Sequence, residues 1–155
     1  MKPMHAFTGL AALAALLAGG LAWRAHLSRT RPPRLGLLDG RLQPCGDRPN
    51  AVSSEDPRPE HHVEPLAFTG FPDEAMARLQ RMLATRPGAR ITDSAGPYLH
   101  AEFRSRLWGF VDDVEFRVDA AARVIHVRSA SRQGYSDLGV NRKRVEALRK
   151  AFDRP

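Results

Sequence analysis

From Phe7 to Trp23 the chain reads FTGLAALAALLAGGLAW, with no charge and with apolar residues on every side of the helix it would form. A surface helix of a small domain would show a stripe instead. Such a helix is about 25 Å long, slightly short of the roughly 30 Å hydrocarbon core of a bilayer. The pattern predicts residues 1–34 to be an N-terminal transmembrane anchor or signal segment with a basic linker. Trp23 and the arginines after it suit a membrane–water interface. An uncleaved single-pass anchor is the reading adopted. Gly20-Leu21-Ala22, a small-x-small site, keeps a cleaved secretory signal as the alternative. Arg24–Pro33 is polar and proline-ended, as a linker would be.

Residues 35–155 then read as one small domain. Leu35–Pro59 has no sustained period and reads as loop pinned by Leu37, Leu38 and Leu42, with an extended piece after the turn at Pro49-Asn50. His61–Leu66 is a first strand candidate. Asp73–Thr85 predicts a helix with Asp73 as N-cap and Ala75, Met76, Leu79, Met82 and Leu83 buried; Pro87-Gly88 ends it. Arg90–Asp93 is a short strand. Tyr98–Trp108 alternates, with Leu99, Ala101, Phe103, Ser105 and Leu107 on one face and Tyr98, His100, Glu102, Arg104, Arg106 and Trp108 on the other.

Val111–Val118 and Arg123–Ser131 form a predicted hairpin around Asp119–Ala122. Placing Val118 opposite Arg123 puts Phe116 against Ile125 and Val114 against Val127, a continuous apolar face. In that register Asp112 faces Ser129, Asp113 faces Arg128, Glu115 faces His126 and Arg117 faces Val124. A last helix follows, capped by Asp137 or Ser136, with Leu138, Val145, Leu148 and Phe152 buried. The fold class is α+β: an antiparallel meander sheet of four to five strands, with the helices Asp73–Thr85 and Leu138–Phe152 on one face, preceded by the N-terminal hydrophobic membrane helix. A helix-grip arrangement around a cavity is the alternative.

Charge changes this picture only after it is located. The formal net charge is +7, but Lys2, Arg24, Arg29, Arg31 and Arg34 all precede Asp39, the first of the 17 acids. The body is nearly balanced, and the basic residues flank an apolar segment. That placement fits a membrane surface and excludes nucleic acid as the expected partner. The expected location is therefore a cell membrane or envelope, single-pass or exported, with the side open. The single cysteine, Cys45, allows no internal disulfide and no zinc-spaced pair. His61 and His62 point to opposite sides of a strand, so no metal site is expected there, and no cofactor is expected.

The chemistry-bearing residues concentrate between Asp112 and Arg142. A carboxylate at Asp112 on the core side needs donors or a shifted pKa. After Asn141, the residues Arg142, Lys143 and Arg144 load three cations onto a helix N-terminus, against its dipole. Three readings follow. In the first, Asp112, Asp113, Arg128, Ser129, Ser131, Arg132, Asp137 and Asn141 are a buried polar network joining hairpin to helix. In the second, Asp112, Arg128, Ser129, Ser131, Arg132, Asp137, Asn141 and Arg142 contribute to a site for an anionic ligand or lipid head group. In the third, Asp112 is a general base and Ser129 or Ser131 the nucleophile of a hydrolase-like enzyme. No G-x-S-x-G elbow is present and no His is placed beside the serines, so a non-enzymatic structural or binding module is preferred.

The strings LQPCGDRPNAVSS, DDVEF and RSASRQGYSDLGVNRKRVE resemble the domain of unknown function 1499 family, and the resemblance covers about Leu35 to Phe152. It implies a small bacterial or plastid-type domain, often behind a membrane or export segment, with no established activity. The family pattern has Cys where Ala51 stands here, so a paired-cysteine role does not carry over.

Overall fold

The computed structural model describes residues 4–153, with side chains from residue 12 onward. Helix α1 (Met4–Leu27) comes first, followed by β1 (Leu37–Leu38), β2 (Arg41–Leu42), β3 (Ala51–Ser53) and β4 (Leu66–Ala67). Then come α2 (Pro72–Ala84), β5 (Ala89–Ala95), β6 (Tyr98–Arg104), β7 (Val111–Asp119), β8 (Val124–Ser131) and α3 (Val140–Phe152). The α+β class and the antiparallel meander are as expected: β5, β6, β7 and β8 pair in sequence order. The sheet is larger than the predicted four to five strands. It has six, because β3 and β4 both pair with β8 along its remaining edge.

Helices α2 and α3 pack on the sheet and on each other. Proline at the start of α2 fixes its first φ, and Asp73 and Glu74 answer the positive end of the dipole. The N-cap position is Phe71 rather than Asp73. Ala75, Met76, Leu79 and Leu83 bury one face. They join Leu99, Val114, Phe116, Ile125, Val127, Val145, Leu148 and Phe152 in one core. Each fully buried side chain of this size contributes roughly 1.5–3 kcal/mol, so this layer is what holds the helices to the sheet.

The hairpin register differs from the expected one by two residues along β8. Phe116 pairs with Val127, Val114 with Ser129, Asp112 with Ser131, Glu115 with Arg128 and Arg117 with His126. The reason is Arg123, which adopts φ 54° and belongs to the turn, so Asp119 and Val124 close the hairpin. A shift of two preserves parity, so each residue keeps its expected face. Other boundaries moved as well. The Tyr98 strand ends at Arg104, leaving Leu107 in a turn and 82% exposed. The His61–Leu66 candidate shrinks to β4 and a single bridge between Ser53 and His62. Leu138 adopts φ 54°, is 87% exposed and lies outside α3, not in its buried stripe. Asn141 occupies the buried first turn instead.

Residues 7–23 do form one helix, α1, but the side chains of residues 7–11 lie outside the described residues. Among the described residues no helix is long and apolar enough to cross a membrane, which corrects the expected transmembrane element. Leu13, Leu16, Leu17, Leu21 and Trp23 of α1 are exposed, whereas Ala25 and Ser28 at its end are buried against the body.

Candidate functional site

Alternation gives β6, β7 and β8 two faces. The second face, away from the helices, carries Tyr98, His100 and Glu102 on β6, Asp113, Glu115 and Arg117 on β7, and His126 and Arg128 on β8. An exposed sheet face would be solvated. Here Asp113, Glu115 and His100 are almost fully buried. The chain between α1 and β2 lies over them, and its backbone supplies some of the missing partners. The Gly36 N–H donates to Glu115 Oε1 at 2.7 Å, and the Leu42 N–H donates to Glu55 Oε2 at 2.6 Å.

Three linked ion-pair groups fill this layer. Arg132 donates to both oxygens of Asp113 at 2.6 and 2.9 Å and to Glu102 at 2.7 Å. The same guanidinium reaches the carbonyl oxygen of Ser28 at 3.1 Å. Arg128 donates to Glu115 at 2.8 Å, and the Tyr98 hydroxyl donates to the other oxygen of that carboxylate. Burial and the neighbouring Glu115 charge push the Tyr98 hydroxyl far above its usual range. Arg117 donates to Glu55 at 2.5 Å, with His126 close to Glu55 and Asp119. Burial lowers the pKa of His126. For Asp113 burial works the other way, but hydrogen bonds from Arg132 and His100 outweigh it and hold the carboxyl below its usual range.

A second cluster lies between β7, β8 and α3. Arg144 donates to Asp112 Oδ2 at 2.6 Å and to Ser129 Oγ at 3.0 Å. Ser129 Oγ donates to Asn141 Oδ1 at 2.6 Å, and Asn141 Nδ2 donates to Ser131 Oγ and to the Asn50 carbonyl, each at 3.0 Å. The carboxylate of Asp137 accepts the N–H groups of Gly139 and Asn141, two residues ahead of the Gly139 N-cap. Arg142 donates to the carbonyls of His62 and Glu60 at 2.6 and 2.8 Å.

The eight predicted site residues therefore do not converge. Asp112, Ser129, Ser131 and Asn141 share the α3 cluster. Arg128 and Arg132 are on the opposite sheet face. Asp137 and Arg142 sit at the start of α3, beside a 190 Å³ cleft that Glu60 also lines. Each of the five arginines in these clusters is already met by a carboxylate or a carbonyl. Ser129 is bonded to Asn141 and Arg144 rather than to a base. Of the cations crowding the first turn of α3, Arg144 is answered by Asp112 and Arg142 by backbone oxygens.

Sequence reasoning missed Glu55, Thr92 and the role of His100. Thr92 is the extra residue of a bulge, since Ile91 pairs with Ala101 and Asp93 with His100. The bulge places Thr92 Oγ1 2.6 Å from His100 Nδ1, and His100 Nε2 is 2.8 Å from Asp113 Oδ1. This hydroxyl–imidazole–carboxylate line has the connectivity of a nucleophile relay. Its carboxylate is also held by Arg132 through both oxygens. The signal for the layer was present in the alternation of Tyr98–Arg104, which put His100 and Glu102 on the same side as Asp113 and Glu115.

Other candidates are likewise internal. Cys45 is buried, its thiol pushed up to about 12 chiefly by burial. Asp56 beside it is held well below the usual carboxylate range, first by Arg58. His61 bonds to the Ala51 carbonyl and His62 to the Asp56 carbonyl, so the pair shares no ligand. Among the described residues no group of three or more His, Cys, Asp or Glu is placed to hold a metal ion.

A family model matches residues 41–152 of the chain. The chain belongs to the family described as Protein of unknown function (DUF1499). No curated protein and no solved structure matches it. Both polar clusters of this DUF1499 chain fall inside the matched stretch, whereas Ser28 and Gly36, which complete the buried layer, precede it.

Proposed function

We propose that this DUF1499 chain is a non-enzymatic structural module, held at a lipid surface of the cell by α1 and fixed to that helix in one orientation. The observation that carries the reading is Arg132, whose side chain is 3% exposed and bridges Asp113 to the Ser28 carbonyl at the end of α1. A flexible tether would leave that end solvated. Here the chain beyond the helix is the second wall of a buried charged layer. The outward-facing leucines of α1 supply apolar contact area of about 25 cal/mol per Å² removed from water.

Within this reading the Arg/Ser clusters are braces rather than an anion site or a hydrolase centre. Most of their donors and acceptors are bonded to one another, the Nε groups of Arg117 and Arg128 being buried without a partner, and a buried network so bonded rigidifies rather than recruits. Flotation of the full chain with phosphatidylcholine–phosphatidylglycerol vesicles tests the lipid part: the protein is expected in the floating fraction, and an alkaline carbonate wash is expected to release it, as for a helix lying on the surface rather than spanning the bilayer. Recovery of folded protein in the lipid-free fraction before that wash would overturn it.

A further inference from the structure

The turn that leaves β6 carries a second apolar group that the body does not absorb. Leu107 is 82% exposed and Trp108 40% exposed. The turn is closed tightly: the Ser105 N–H donates to the Phe110 carbonyl at 2.8 Å, the Gly109 N–H to the Ser105 carbonyl at 3.1 Å, and the Phe110 N–H to Ser105 Oγ at 3.0 Å. Leu107 and Trp108 are therefore displayed on a closed turn whose backbone is already bonded. The Val111 N–H, immediately after it, donates to Ser28 Oγ at 3.0 Å. That bond joins the turn to the end of α1, where Trp23 is 63% and Leu27 42% exposed. The nearby carboxylates Glu102 and Asp112 are held by Arg132 and Arg144. Arg24, Arg29, Arg104 and Arg106 are exposed, no carboxylate among the described residues pairs with Arg104 or Arg106, and no acid precedes Asp39.

From this juxtaposition we infer that residues 105–110 form a second lipid contact, with Leu107 and Trp108 entering the head-group boundary beside α1 and Arg106 meeting anionic head groups. The occupant is a bilayer surface because the apolar tip is bonded to the end of the apolar helix and the unpaired charges beside it, Arg104 and Arg106, are cations. Tryptophan suits such a boundary, with its ring in the apolar layer and its N–H among head groups, and basic residues next to it are attracted to acidic lipid. The inference rests on the proposed lipid contact of α1.

The chain has two tryptophans, Trp23 and Trp108, so each contact can be read alone. The full chain carrying Trp23→Phe is reconstituted with phosphatidylcholine–phosphatidylglycerol vesicles whose acyl chains are brominated near the head group. Trp108 emission is expected to shift to the blue and to be quenched, and Leu107→Asp in the same chain to remove both effects. Replacing phosphatidylglycerol by phosphatidylcholine is expected to weaken the quenching, as is Arg106→Glu. If Trp108 is unquenched while Trp23, read in the Trp108→Phe chain, is quenched, the second contact is wrong and the α1 contact stands. If neither is quenched, both are wrong.

Discussion

Arg132 and Ser28, which lie 104 positions apart in the chain, meet at 3.1 Å through the arginine Nη1 and the serine carbonyl. The same arginine holds Asp113, whose side chain is 2% exposed, through two hydrogen bonds. One side chain thus ties the central strand of the sheet to the end of the N-terminal helix. Arg132→Ala leaves a carboxylate buried without its partner, which costs about 3–5 kcal/mol. Arg132→Lys keeps the charge but not the planar fork, so an intermediate loss is expected. Urea unfolding midpoints of the two variants check the order.

Asn141 is expected to be the most sensitive polar residue of the α3 cluster. It is fully buried and joins Ser129, Ser131 and Asn50. Asn141→Ala orphans those partners and should cost about 1–3 kcal/mol, whereas Asn50→Ala, which keeps the accepting carbonyl, should cost less. Thermal unfolding of both variants makes the comparison.

Acid should destabilise the fold in two steps. Burial depresses the pKa of His126, so the unfolded chain binds that proton more readily and stability falls as pH drops below about 6.5. Asp113 is also depressed, so its contribution is complete above about pH 5 and is lost as pH falls through its lowered folded value. Melting temperature followed from pH 7 to pH 3 should decline in both windows. In His126→Gln the upper decline should shrink and the lower remain.

Gly88 is the glycine whose replacement the fold tolerates least. Its φ is +78°, and an added Cβ would stand 2.6 Å from the Arg104 carbonyl oxygen. Arg104 N–H in turn donates to the Gly88 carbonyl at 2.8 Å, at the open end of the β5–β6 hairpin. Gly88→Ala should destabilise by more than the roughly 1 kcal/mol that separates the two residues in an ordinary element. Gly46→Ala, with nothing within 4 Å of its added Cβ, is the control for the melting measurement.

Residue parity was legible in the sequence because it depends only on local alternation. Leu99 and Ala101, Val114 and Phe116, Ile125 and Val127 all face the core as the pattern requires. The register was not, because it turned on the backbone of Arg123, a residue with no turn preference of its own. The small β1–β2 hairpin lies in a stretch that reads as loop, although Asp39-Gly40, both at positive φ between Leu38 and Arg41, is a two-residue turn signal. The buried charged layer was half readable. Its strand residues alternate visibly, but the segment that covers them has no period, and its partners are backbone groups of Ser28, Gly36 and Leu42. The anion expectation drew on the cations at the start of α3, whose answering groups come from elsewhere in the fold: Asp112 on β7 for Arg144 and the His62 carbonyl for Arg142.

The most direct test of the account is site-resolved hydrogen exchange of the full chain at neutral pH, read at Gly36, Leu42, Cys45 and Val111. Their N–H groups donate to Glu115, Glu55, Asp56 and Ser28 Oγ. If the stretch after α1 is one wall of the domain, these amides exchange on the slow timescale of β7 and β8. Exchange at Gly36 and Leu42 as fast as in an unstructured peptide would contradict it.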